Sequence, residues 1–248
     1  MLPAAMGYRP PVTRYDTVVL DVDGTLLDSN YHHTVAWARA FESHGVTVPL
    51  WRIHRHIGMG GDRLVPAVAG EEVEDRCGDE VRERWKKEYD ELIDQTRLFE
   101  GARELLAALR DRGVTVALAS SSIPEHAEHA FELLDADRLT DTATTSEDAE
   151  ESKPNPELVD EALERVGEGR ACLVGDSVWD VEAAARAGVP AYAVLAGGYG
   201  RSELEDAGAV GVYDDVADLL EHLDDWCGAG QDRPASPTGR AAPSAGRG

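Results

Sequence analysis

The chain has 248 residues, 42% of them apolar, and carries 48 acidic against 24 basic side chains for a net charge of −24. That length fits one large domain or a core with a smaller insert. No apolar run approaches the ~20 residues of a membrane helix, Met1 to Thr13 lacks the basic-then-apolar order of a secretory signal, and so acidic a surface repels nucleic acid and anionic membranes.

The expected setting is the cytoplasm, as a monomer or homodimer without nucleic-acid or membrane partners. Cys77, Cys172 and Cys227 show neither a CxxC pair nor zinc spacing, and read as thiols in a reducing compartment. Lysine occurs only at positions 86, 87 and 153; every other basic residue is arginine. The acidic excess fits either adaptation to high salt or an acidic, arginine-rich composition with no special role.

In chain order, Thr17–Val22 is a β-branched apolar run ending in a carboxylate, the pattern of a buried parallel strand. Asp28 and Ser29 can cap a helix over Tyr31–His44, stopped by Gly45. From Val46 to about Leu98 the pattern is helical throughout, broken at Gly58-Met59-Gly60-Gly61 and followed by a charged amphipathic helix across Glu71–Gln95. After Gly101 strands and helices alternate: helix 104–110, strand 115–119, helix 125–134, a weak strand 141–145, helix 156–166, strand 171–175, helix 180–187, strand 191–195, a short helix 202–207 and a last helix 216–223.

That alternation predicts an α/β fold, a Rossmann-like parallel sheet with helices on both faces. The expected organisation is core over 1–29, an inserted all-helical cap over 30–98, α/β core over 99–227, and a Gly-, Pro-, Ala- and Ser-rich disordered tail over 228–248.

Four short segments carry chemistry, each at the carboxyl end of a strand, where α/β sheets bind ligands. The first is Asp21-Val22-Asp23-Gly24-Thr25, whose two carboxylates reach one site if the chain bends at Gly24. The same string is also a common turn and half a calcium loop, although the acidic continuation of such a loop is missing. The second, Ser120-Ser121-Ser122, offers hydroxyls and N–H groups to a phosphate, or a cap to the next helix. In the third, Lys153 stands before a Pro-opened helix in a chain that otherwise uses arginine, which suggests a need for a compact point charge. The fourth, Gly175-Asp176-Ser177-Val178-Trp179-Asp180, places two carboxylates on a strand end and the first helical turn, more than a helix cap requires.

In this order the four segments resemble the motifs of the haloacid dehalogenase-like hydrolase superfamily, over about Thr17 to Leu223. The resemblance implies a phosphatase of small phosphorylated metabolites. Asp21 would be the nucleophile, forming an aspartyl-phosphate, and Asp23 the general acid and then base. Ser120 and Lys153 would hold the phosphoryl oxygens. Mg²⁺ would sit on Asp21, the backbone carbonyl of Asp23 and Asp176, with Asp180 behind them orienting Lys153 or a metal water. Ser121, Thr25, His33 and Arg55 complete the expected phosphate- and substrate-binding set. A carboxylate nucleophile facing a phosphoester dianion needs such cations, all the more in so acidic a chain. Two adjacent carboxylates also predict a raised proton affinity on one of them, expected on Asp23.

The acidic residue at 23 favours phosphoryl transfer over dehalogenation, and Lys86 and Lys87 lie too late for the Schiff-base lysine of the phosphonate-cleaving relatives. The nearest rival is β-phosphoglucomutase, which Ser29-Asn30-Tyr31-His32-His33 and Ala36-Trp37 resemble, with His33 at its histidine position. Gly61 stands where that enzyme has a phosphate-gripping arginine, and Gly175 where it has glutamate, so a phosphatase is expected. His54, Arg55, His56, the 58–61 loop and Arg63 are candidates to line the cleft. Trp37 and Trp51 are expected in the cap core. A non-catalytic binding protein would have lost Asp21 or Asp23.

Overall fold

The computed structural model describes residues 14–228. The expected tail therefore lies outside the described residues except for Gly228. The helices are α1 Asn30–Ser43, α2 Leu50–His54, α3 Gly61–Ala69, α4 Glu71–Asp90, α5 Ala102–Asp111, α6 Pro124–Leu134, α7 Ala136–Leu139, α8 Glu157–Val166, α9 Val178–Ala187, α10 Arg201–Ala207, α11 Val216–Glu221 and α12 Leu223–Trp226. The strands are β1 Thr17–Leu20, β2 Leu27–Asp28, β3 Arg97–Leu98, β4 Thr115–Ala119, β5 Thr142–Thr144, β6 Ala171–Gly175, β7 Ala191–Val194 and β8 Gly211–Tyr213.

Six strands form one parallel sheet in the order β5-β4-β1-β6-β7-β8. β1 is central and wholly buried, as its unbroken Thr-Val-Val-Leu run requires. On one face α5 presents Ala102, Leu105, Leu106 and Leu109, a helical stripe that joins α6, α7, α11 and α12 over Val18, Leu20 and Val116. On the other face α8, α9 and α10 cover Val19, Ala117 and Leu173. Burying each such leucine stabilises the fold by roughly 1.5–3 kcal/mol.

Helices α1 to α4 share their own apolar cluster, with Trp37, Phe41, Ile53, Leu64, Val65 and Val81. Trp51, expected in that core, is 69% exposed, because α2 turns Ile53 inward instead. The expected long helix ends at Asp90, and a non-helical Cys77 (φ −157°, ψ 25°) kinks it.

One feature contradicts the all-helical expectation for 46–98, and a second adds a strand to the alternation that follows it. Arg97–Leu98 pairs antiparallel with Leu27–Asp28, so a two-stranded ribbon carries the chain out to α1 and back to α5. β8 pairs with β7 at the sheet edge, where it is too short and too mixed in character to show a period.

Candidate active site

Strand register assembles the site. Leu20 pairs with Leu118 on one side and Val174 on the other, so Asp21, Ser120 and Asp176 emerge together from three neighbouring strands. Chain direction across the sheet reverses at β1, since β4 and β5 lie to one side and β6 to β8 to the other. That is the crevice where open α/β sheets bind ligands. Just beyond β1 the chain turns back at Gly24 (φ 82°), a conformation that costs a side-chain-bearing residue energy. The turn brings Asp23 and Thr25 back over the strand ends.

Lys153 is fully buried, with Nζ 2.5 Å from Asp21 Oδ1 and 2.7 Å from Asp180 Oδ1. It also donates to the carbonyl of Ala119 at 3.3 Å. Thr25 Oγ1 bridges Asp21 Oδ2 and Asp176 Oδ1, at 3.1 Å each. Asn30 Nδ2 donates to Asp176 Oδ2 at 2.9 Å. Asp180 does two things at once. Its Oδ2 accepts from Ser177 N and Oγ in a capping box that opens α9, while its Oδ1 faces Lys153.

Asp23 faces a separate set of donors. Its Oδ1 accepts from Ser29 Oγ at 2.6 Å and lies 3.2 Å from His33 Nε2; its Oδ2 accepts from Ser122 Oγ at 2.9 Å and Ser120 Oγ at 3.4 Å. His33 is stacked on Tyr89, ring centres 3.8 Å apart. The serines are therefore not a helix cap: α6 starts after Ile123 with no side-chain cap.

The proton affinities correct one expectation. Burial raises Asp21 to about 7, aided by Asp180 and Asp23 and opposed by Lys153. Burial and the charges of Asp180 and Asp21 hold Asp176 well above the carboxylate range. Asp23, expected to be the raised one, is lowered: burial alone would raise it, but His33, Ser29 and Ser122 together outweigh that.

The residues fit a hard divalent cation. Ligand oxygens of Asp21, Asp176 and Asp180 lie within 4.8 Å of one another, all buried. One ammonium against three carboxylates leaves an excess of negative charge away from water, which is costly unless a cation joins it. Asn30 Oδ1, beside this cluster, is buried without a partner. Glycine cradles Asp176: a Cβ at Gly197 would stand 1.7 Å from its Oδ2.

Above the carboxylates lies a pocket of about 40 Å³, walled by Trp37, Ile57, the 58–61 loop, Trp85 and Ser121. The other cap candidates are engaged elsewhere. Arg55 pairs with Glu203 at 2.6 Å and covers the Tyr199 ring at 4.0 Å. Arg63 pairs with Glu151, His54 stacks on Tyr31, and His56 stacks on Trp179. Ser29, Asn30 and Ser122 fall inside segments the sequence marks, without their partners being readable there, whereas Tyr89, Trp85 and Gly197 carry no motif signal that singles them out from sequence.

The haloacid dehalogenase-like hydrolase family matches residues 15–188. The chain belongs to that family. A validoxylamine A 7'-phosphate phosphatase from Streptomyces hygroscopicus subsp. limoneus is 30% identical over 71% of the chain and 83% of its own length. A phosphoglycolate phosphatase from Rhodobacter capsulatus is 25% identical over 84% of the chain and 97% of its own. A hydrolase of known structure from Pseudomonas syringae is 34% identical with a TM-score of 0.80, covering 84% of the chain and 98% of that protein. Among the described residues no helix is long and apolar enough to cross a membrane.

Proposed function

We propose that this member of the family is a phosphatase of small phosphorylated metabolites, with sugar phosphates and phosphoglycolate as the first candidates, working through an aspartyl-phosphate on Asp21. The observation that carries this is the pairing of Asp21 with buried Lys153 at 2.5 Å, at the mouth of a pocket that a separately hydrogen-bonded Asp23 also lines.

Asp21 attacks phosphorus in line; its new O–P bond forms as the bond to the leaving oxygen breaks. Asp23 supplies the proton that the leaving oxygen needs, then takes one from the water that hydrolyses the aspartyl ester. His33, 3.2 Å from Asp23 Oδ1, holds that carboxyl in place. Lys153 and the hydroxyls of Ser120 and Ser121 hold the phosphoryl oxygens. Mg²⁺ would be held by Asp21, Asp176 and the Asp23 carbonyl, and supplies charge that offsets the repulsion between carboxylate and phosphoester. Helices α1 to α4 act as a cap over the core, hinged on the β2–β3 ribbon. The protein acts in the cytoplasm as a monomer or homodimer.

Hydrolysis is favoured over a mutase because, among the described residues, no lysine or arginine lines the pocket over Asp21 to grip a second phosphate. The test is phosphate release from a panel of phosphometabolites, with Mg²⁺ and with EDTA, beside Asp21→Asn. Release lost in EDTA and in the variant is expected. Near-normal turnover by Asp21→Asn sinks the scheme, and interconversion of hexose phosphates without release moves it to the mutase.

A further inference from the structure

The pocket over Asp21 continues into a larger one. A cavity of about 410 Å³ lies between α3 and α4 on one side and the loops after β4 and β5 on the other. The two share Gly60, Gly61, Trp85 and Ser121, and so form one path leading away from the nucleophile. The larger volume is within the range of metabolite sites, roughly 300–1,000 Å³.

Three polar atoms on this path are buried without a hydrogen-bond partner: Trp85 Nε1, Ser121 Oγ and Ser152 Oγ. Buried donors left unpaired are unfavourable in a folded protein, and on residues that line a cavity they are groups a ligand's acceptors can satisfy after a small side-chain adjustment. The indole ring of Trp85, with Ile123 and Leu158, adds apolar wall against which C–H groups can pack.

Charge narrows the ligand further. The cations on the cavity wall already have carboxylate partners: Arg82 has Glu74 at 2.8 Å and Asp79 at 2.7 Å, and Lys86 has Glu125 at 3.5 Å. Asp62, Glu83 and Glu150 stand on the same wall. Among the described residues, a second anion on the leaving group would meet carboxylates and only cations that already have carboxylate partners.

We infer that the ester cleaved here has a neutral, hydroxyl-rich leaving group, a sugar or polyol, whose hydroxyls are recognised by Trp85 and Ser152. This rests on the phosphatase reading above. A site built on hydrogen bonds to substrate hydroxyls discriminates sharply, because an analogue lacking them leaves the site's own groups unpaired.

The test measures kcat/KM of the Mg²⁺-loaded enzyme on monophosphates of glucose, sorbitol and glycerol, and on phosphoglycolate, 3-phosphoglycerate and fructose 1,6-bisphosphate. p-Nitrophenyl phosphate serves as common reference. The neutral group should lead the anionic group by about tenfold or more, the size of one or two lost hydrogen bonds. Trp85→Phe, which keeps the ring and removes the N–H, and Ser152→Ala should each lower the ratio of sugar phosphate to reference ester about fivefold. Ser152→Ala carries the test if Trp85→Phe does not fold. Preference for the anionic esters, or a ratio that neither variant moves, overturns the inference and leaves the phosphatase standing. No release from any ester, the reference included, overturns the phosphatase itself.

Discussion

Lys153→Met is the sharpest probe of the buried charge cluster. Methionine keeps most of the stem's volume and removes the ammonium that sits 2.5 Å from Asp21 and 2.7 Å from Asp180. Burial pulls the affinity of that ammonium for its proton down, but Asp180 and Asp21 outweigh burial and raise it. Its contribution is therefore fully present at pH 8 and is lost only as pH rises through that raised value. Removing one partner of a buried pair costs about 3–5 kcal/mol. For a chain of this size each kcal/mol moves the melting midpoint by about 2–4 °C, so Tm should fall by roughly 6–20 °C in EDTA at pH 8. At pH 5 the loss should shrink, because carboxylates freed of Lys153 can take up protons. Adding Asp180→Asn to Lys153→Met should restore part of the loss, since one of the unpaired charges is then gone. Differential scanning calorimetry of the wild type and both variants at the two pH values reads all of this. An unchanged Tm for Lys153→Met at pH 8 in EDTA refutes the buried pair.

Without metal, the folded state binds more protons than the unfolded one at Asp21, raised from 3.8 to about 7, and at Asp176. Stability in EDTA should therefore fall as pH rises from about 4 to about 7, and the gain in Tm on adding Mg²⁺ should grow over the same range; an equal gain at pH 5 and pH 8 counts against carboxylate ligation. Gly197→Ala drives a methyl against Asp176, 1.7 Å from its Oδ2, and should weaken Mg²⁺ binding at least tenfold by titration calorimetry while the far-ultraviolet spectrum stays native. Arg55 and Glu203 are both partly exposed, so Arg55→Ala should cost under about 1 kcal/mol of stability. If Arg55 acts only by tying α2 to α10, Arg55→Ala and Glu203→Gln should change KM alike; a KM effect confined to Arg55→Ala returns it to the substrate.

The sheet was legible because burial on both faces leaves a plain trace. β1, β4, β6 and β7 are short apolar runs, and the helices between them carry stripes such as Leu105-Leu106-Leu109. The main motif residues were legible for a related reason: Asp21, Ser120 and Asp176 follow strand ends, and strand ends converge. What escaped was decided by contacts with no local period. Asn30 sits in the first turn of α1 and reaches Asp176, 146 positions away. Trp85 and Tyr89 look like an apolar stripe on α4, and only the fold brings one onto the pocket and the other onto His33. Arg55, a candidate to line the cleft, pairs with Glu203, a partner 148 positions along the chain that no local pattern announces. Trp51 was misplaced because a five-residue helix is too short to show which side of it is buried.

The charge of −24 and the chemistry of anions are reconciled by distance. Exposed charges are screened over about 8 Å at physiological salt, so a surface carboxylate has little effect on a phosphate already in the pocket. The groups that matter there are the buried ones, where screening is weak. Asp21, Asp176 and Asp180 against Lys153 leave two negative charges in excess, the charge of one divalent cation. With that cation the cluster is neutral and an incoming dianion meets no net repulsion from it; without it Asp21 and Asp176 offset the excess by binding protons, which takes the charge off the nucleophile. Paired cations on the cavity wall follow the same logic, since Arg82 and Lys86 add no attraction of their own for a second anion. Surface charge then governs how fast phosphate esters arrive, while the buried cluster and the uncharged donors beyond it govern which of them are held.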